Sequence, residues 1–300
     1  MVVPLLRRRL IAEFLGTMLL LVTVVGVSGM AARLSPDDAG LRLLENSSTV
    51  ALGLAAIIFA LAPISGAHFN PVVSAADWFL GRRHGTGLTR IELIGYVGAQ
   101  VTGAAAGAVL GNLMVDRPAV TLADTARDGG HLLLSEVVAT AGLLVLIAAL
   151  VRSSRGSHGP VAVGAYIGAA CWFTSSTCFT NPAVTLGRML TSTEAGIAPR
   201  SAAAFAGAQL VGSAVACLLV PALYPDTVAT AAPVPVSPAG SGGDRPPAVV
   251  PERSGPAPVR GDAAWPKPGV TAEADHAGCC SACSASVDER LGRPPLVLGG

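Results

Sequence analysis

Two asparagines, Asn70 and Asn181, each stand before a proline at the end of a run of small and polar residues. The runs are Ser65-Gly66-Ala67-His68-Phe69-Asn70-Pro71-Val72 and Thr177-Cys178-Phe179-Thr180-Asn181-Pro182-Ala183-Val184. Asparagine is a favoured helix N-cap, and proline is favoured at the first helical position because the amide it lacks would be unpaired there anyway. Both stretches therefore read as helix starts. A carboxamide at such a start also carries N–H donors that can face a polar solute. The chemistry this supports is non-covalent: a solute trades its water for fixed donors and backbone carbonyls. No catalytic triad, glycine-rich phosphate loop or arginine-aromatic surface occurs, so the reading is of no enzyme, no cofactor and no nucleic-acid partner.

The elements that position these asparagines are apolar. Hydrophobic residues make up 51% of the 300 and charged residues 13%, and mean hydropathy is +0.58, too apolar for an ordinary soluble domain. An apolar run from Leu10 to about Met30 follows Arg7, Arg8 and Arg9, interrupted only by Glu13. It exceeds the apolar region of a signal peptide, about 7–15 residues, and matches the roughly 20 residues of a spanning helix. Further spans are expected over 46–63, 91–114, 131–151, 159–177 and 200–222, rich in Ala, Gly, Val and Leu. Small residues let helices approach closely in lipid. Two more apolar pieces, 70–80 and 181–190, would reach only roughly 16 Å, half of a roughly 30 Å hydrocarbon core. The fold class expected is an all-α membrane protein of six transmembrane helices and two half-spanning re-entrant helices.

Arginines set the orientation. Arg82, Arg83 and Arg90, Arg152 and Arg155, and the three near the N-terminus lie on one side, whereas segments 31–45 and 115–130 mix arginine with aspartate. The positive-inside bias places both termini in the cytoplasm of a multi-pass cell-membrane protein. An internal repeat agrees: Glu13 and Thr17 match Glu136 and Thr140, Gly98-Ala99-Gln100 recurs as Gly207-Ala208-Gln209, and Asn70 matches Asn181. Three spans per half is an odd number, so the second half enters from the opposite side, an inverted repeat with broken helices meeting at the midplane. Backbone at that depth can be irregular where it lines a cavity, and two helix N-termini there would repel cations.

Residues 1–223 thus form a channel-like unit. Residues 224–300 are rich in Pro, Gly, Ser and charge and read as a disordered tail without the apolar periodicity for a core. In this tail, Cys279, Cys280 and Cys283 lie within five residues, and such thiolates suit a soft metal or metalloid. A tail without function is an equal reading.

Ala12-Glu13-Phe14-Leu15-Gly16-Thr17, Ser65 to Pro71, the Gly-Ala-Gln repeats and Asn181-Pro182-Ala183 resemble the aquaporin and aquaglyceroporin family over about residues 8–222. The resemblance implies a homotetramer in the lipid bilayer with one pore per subunit, passing water or small neutral solutes. His68, Asn70, Pro71, Val72, Asn181, Pro182 and Ala183 would form the central constriction. Glu13 and Glu136 resemble the buried acids that brace the pore loops, although ionisable groups in spans also suit a proton-coupled transporter. His68 would brace its loop or titrate as a gate.

Two departures stand out. Val72 replaces the family's usual alanine, and Val184 stands where members generally place a filter arginine, followed by Thr185 where glycerol-type members have aspartate. Valine removes a long side chain, five donors and a charge, so the constriction is expected to be wider and less polar. Counting from Asn181 by the family's spacing, Ala169 and Cys178 would join Val184. The fourth member would come from Val50 to Leu52, with Leu52 the candidate. Arg188, one turn past Val184, is either a shield of the outer mouth or a vestibule arginine. Filters of this kind resemble those of bacterial members associated with neutral metalloid acids such as arsenous acid; glycerol-like polyols are the other expectation. A secondary transporter and a non-conducting sensor remain as alternative classes.

Overall fold

The structure, a computed structural model, describes residues 4–82 and 85–224. Arg83, counted in the orientation argument, and the tail cysteines Cys279, Cys280 and Cys283 lie outside the described residues.

The chain folds into eight α-helices among the described residues: α1 Leu6–Leu34, α2 Ala39–Ser65, α3 Pro71–Gly81, α4 Arg90–Met114, α5 Gly130–Arg152, α6 Gly159–Phe173, α7 Pro182–Gly187 and α8 Pro199–Leu223. Short 3-10 turns precede α6 at Gly156–His158 and follow α7 at Arg188–Leu190. Five helices, α1, α2, α4, α5 and α8, are long and apolar enough to cross a membrane. α6 has 15 residues and rises only about 22 Å; an irregular return through residues 174–181 follows it. The expected span 159–177 therefore ends early, at Phe173, because residues beyond it are spent on a pore loop. α2 begins at Ala39 rather than near 46, since Asp38 Oδ1 accepts from Leu41 N at 2.8 Å and caps the helix there. Thr89 and Glu92 close a capping box at the start of α4.

The architecture is an all-α membrane bundle in an inverted repeat: five long apolar helices, the shorter α6 in the place of the sixth span, and the two half-spanning helices α3 and α7. α1 packs along α4, and the corresponding α5 packs along α8. Glycine makes both pairings possible. A Cβ at Gly103 would stand 2.4 Å from Phe14 O, and one at Gly212, the matching place in the second half, 2.5 Å from Val137 O. Gly107 repeats the device one turn on, 2.3 Å from Met18 O. α2 and α6 join the halves; a Cβ at Gly164 would meet Ala51 O at 2.5 Å. The result brings α3 and α7 together, N-terminus toward N-terminus, at Asn70 and Asn181.

Candidate functional site

Each half helix is preceded by backbone that an unassisted chain would avoid. Ala67 and Phe69 before α3, and Thr177, Cys178 and Thr180 before α7, have φ between 49° and 61°, the left-handed region that costs a non-glycine residue roughly 1–2 kcal/mol. Two buried carboxylates hold these loops. Glu13 Oε1 accepts from His68 N (3.0 Å) and Ser65 Oγ (2.6 Å), and Oε2 from Phe69 N (2.7 Å) and Gln100 Nε2 (2.8 Å). Glu136 repeats the pattern: Oε1 accepts from Phe179 N (2.9 Å) and Ser176 Oγ (2.6 Å), and Oε2 from Thr180 N (2.8 Å) and Gln209 Nε2 (2.7 Å). Both glutamates are 0% exposed. Four donors to each carboxylate compensate the cost of burying it. The glutamines anchor a second layer, Gln100 Nε2 reaching Ser74 Oγ (2.9 Å) and Gln209 Nε2 reaching Thr185 Oγ1 (2.9 Å). The Gly-Ala-Gln repeat thus has a physical cause.

Asn70 and Asn181 cap their helices and each other's loop. Asn70 Oδ1 accepts from Val72 N (3.1 Å), and Asn181 Oδ1 from Ala183 N (3.0 Å) and Val184 N (3.2 Å). Across the centre, Asn70 Nδ2 donates to Thr180 O at 2.8 Å and Asn181 Nδ2 to Phe69 O at 2.7 Å. The second N–H of each amide is left for the cavity. Pro71 and Pro182 take the first helical positions. Val72 (1% exposed) and Ala183 (0%) are buried behind the asparagines, so Pro71, Val72, Pro182 and Ala183 shape the constriction from behind rather than line it. His68 does line the cavity, with Nδ1 3.1 Å from Ser74 Oγ and its ring edge-on to Tyr96.

One cavity of about 1350 Å³ passes both asparagines, from Arg42 and Glu194 at one end to Arg152 and Tyr224 at the other. Two of the four expected filter residues, Cys178 and Val184, line it. The other two do not. Leu52 is 73% exposed on the outer face of α2, and the wall is formed instead by Val50, Leu54 and Ile58. Ala169 is likewise exposed on α6, where Val163, Ile167 and Cys171 face the cavity. The reason is helical phase: cavity residues recur every four positions, and a residue two positions away is turned by about 200°. The offset from Asn181 to Ala169 crosses the irregular residues 174–181, across which helical phase does not carry. Cys171, unanticipated as a pore residue, packs its Sγ 3.7 Å from Thr177 O. The wall on this side of the asparagines therefore combines Val50, Cys171, Cys178 and Val184.

Beyond Val184 two arginines enter the same cavity. Arg188, 7% exposed, donates from Nε to Ala195 O and stacks its guanidinium 3.4 Å from the centre of the Phe179 ring. Arg127, from the segment between α4 and α5, lies 5.1 Å from the same ring and donates to Gly196 O (2.9 Å) and Glu194 O (2.8 Å). Burial draws the Arg127 pKa down from the ordinary guanidinium value, with the charge of Glu136 opposing. Arg127 carried no sequence signal beyond being one charge in a mixed-charge segment. Among the described residues no cluster of His, Cys, Asp or Glu could hold a metal ion.

Comparison with known proteins agrees with this geometry. The family model described as major intrinsic protein matches residues 2–180. An aquaglyceroporin of Rhizobium meliloti (strain 1021), AqpS, is 45% identical over 215 residues, covering 72% of this chain and 89% of that protein. A glycerol uptake facilitator protein of Pseudomonas aeruginosa is 32% identical over 183 residues, covering 53% of this chain and 63% of that protein. Aquaporin AqpM of Methanothermobacter marburgensis is 33% identical over 176 residues, covering 51% and 69% respectively. With paired helix-capping asparagines on one cavity, carboxylate-braced loops and these relatives, the chain belongs to the major intrinsic protein family, the aquaporins and aquaglyceroporins, passive membrane channels for water and glycerol.

Proposed function

We propose that this channel works in the cell membrane as a homotetramer, with both termini cytoplasmic, and favours neutral solutes larger than water. Glycerol-like polyols and neutral metalloid acids such as arsenous acid are the solute classes. The observation that carries this reading is Val184, 5% exposed on the cavity wall, beside Cys178, Cys171 and Val50. A narrow water filter needs a long donor-rich side chain at this level. Here four short side chains leave width, an apolar wall and two soft sulfurs. With cytoplasmic termini, the mouth near Arg42, Arg127 and Arg188 is the extracellular one. Residues 224–300 are an appendage of the channel, and truncation after Asp226 is expected to leave transport intact.

A secondary transporter built on the same repeat would employ Glu13 and Glu136 as proton carriers. Both carboxylates are occupied by four donors each, which favours the bracing role. Stopped-flow measurements on proteoliposomes test the proposal. Glycerol and arsenous acid should enter faster than into empty liposomes, independently of membrane potential and proton gradient. Entry no faster than into empty liposomes for water, glycerol and arsenous acid alike would refute the channel reading.

A further inference from the structure

The outer constriction has lost the arginine its family places after Asn-Pro-Ala, yet the cavity at that level is not free of positive charge. We infer that Arg188, seconded by Arg127, supplies the cation barrier and the oxygen-directed donors that position 184 lacks; this rests on the channel reading above.

Arg188 follows Val184 by four residues, so it lies on the same face and about 6 Å further toward the mouth. It is 93% buried, being 7% exposed, and still lines the cavity. Among the described residues only Nε has a hydrogen-bond partner, the carbonyl of Ala195. Among the described residues Nη1 and Nη2 have no hydrogen bond and are not enclosed without solvent contact, so their N–H groups are open to the cavity and to a solute's oxygen atoms. The side chain cannot swing freely. Its guanidinium stacks on Phe179, whose backbone is fixed by Glu136 and whose ring meets Phe205 edge-on at 5.1 Å.

Arg127 reaches the same ring from the segment between α4 and α5 and is held by two carbonyls. Among the described residues neither arginine is paired with a carboxylate. Glu194, the acid that lines the cavity at this mouth among the described residues, pairs with Arg42 at 3.3 Å, and Glu136 spends its oxygens on four other donors. Two positive charges thus share one aromatic platform beside the pore with no carboxylate in direct contact among the described residues, the buried Glu136 charge acting on Arg127 only from a distance. They form a barrier to cations that leaves neutral solutes free to pass. A passing solute would meet donors at Arg188 first, then the apolar and thiol wall of Val184, Cys171 and Cys178. That order suits a molecule with hydroxyl oxygens on one face and an apolar or soft face on the other.

The test uses the full chain in proteoliposomes, reading proton and sodium leak against glycerol entry. Arg188→Gln should raise the cation-to-glycerol flux ratio about tenfold, and Arg127→Gln with Arg188→Gln further. Adding Val184→Arg to the double variant should return the proton and sodium leak itself toward native, read apart from glycerol entry, a rescue that a merely structural role would not give. A conducting double variant whose ratio stays native overturns this inference alone. A native chain that admits water, glycerol and arsenous acid no faster than empty liposomes overturns the channel reading and the inference with it. If Arg188→Gln yields no monodisperse protein, Arg127→Gln and Arg188→Lys decide. The former should raise the ratio severalfold, and the latter should keep cations out while altering glycerol entry. An Arg127→Gln ratio equal to native then overturns the proposal.

Discussion

Glu136 Oε2 and Gln209 Nε2 meet at 2.7 Å, as Glu13 Oε2 and Gln100 Nε2 do at 2.8 Å. Each carboxylate also holds two backbone N–H groups of a pore loop whose φ angles are unfavourable without it. Glu136→Gln keeps the volume but turns one acceptor oxygen into a donor. At least one of Phe179 N, Thr180 N, Ser176 Oγ and Gln209 Nε2 then loses its partner in a buried place. The expected loss is about 1–3 kcal/mol for each orphaned donor, seen as a lower Tm of the detergent-solubilised protein. Glu13→Gln should behave alike. Variants of native Tm that lose a proton-gradient dependence present in the native chain would instead point to a proton carrier.

The packing of α1 on α4 gives a second expectation. Gly107→Ala would put a methyl 2.3 Å from Met18 O and 2.7 Å from Leu21 Cβ, and neither backbone can yield without moving a whole helix. A destabilisation of about 1–3 kcal/mol follows from overpacking. Gly98→Ala, with nothing within 4 Å, is the control and should leave the melting temperature close to native. If both substitutions melt alike, the close approach of α1 and α4 is not what these glycines provide.

Much of this arrangement was legible in the sequence. Asn70, Asn181, Glu13, Glu136 and the two glutamines are linked by a repeat that survives because each member's partner survives with it. Lipid supplies a second reason: a bilayer demands long apolar helices with internally satisfied backbones, so their number and order are written in hydropathy. Helical phase was not legible. Leu52 and Ala169 are two positions from residues that face the cavity, and no apolar periodicity separates faces when lipid and pore walls are both apolar. Arg127 was hidden for another reason, since its place depends on how residues 115–129 fold back over α7, with Ala123 N donating to Met189 O.

Cys171 and Cys178 give a third expectation. Both line the cavity, whereas Cys217 on α8 does not, and all three are free thiols. Mercuric ion is small and soft enough to reach sulfur through the pore. It should remove more than about half of the glycerol flux, by occupying the part of the path walled by short side chains. Cys171→Ser with Cys178→Ser should be resistant, and Cys217→Ser should stay sensitive. Sensitivity retained by the double variant would place the reactive sulfur elsewhere.

Val184→Arg tests the filter itself. Val184 N is fixed by Asn181 Oδ1 at 3.2 Å and the residue is 5% exposed, so a longer side chain at this position has one direction open to it, the cavity. It would also bring a guanidinium near Arg188, whose charge repels it and pushes it across the path rather than along the wall. The pore should narrow there and gain donors. Entry of glycerol and arsenous acid is expected to fall about tenfold or more, while water permeability falls by less, because only the larger solutes depend on the lost width. The measurement is the solute-to-water permeability ratio of the variant against the native chain in one liposome preparation. An unchanged ratio, with both permeabilities retained, would show that position 184 does not set the constriction.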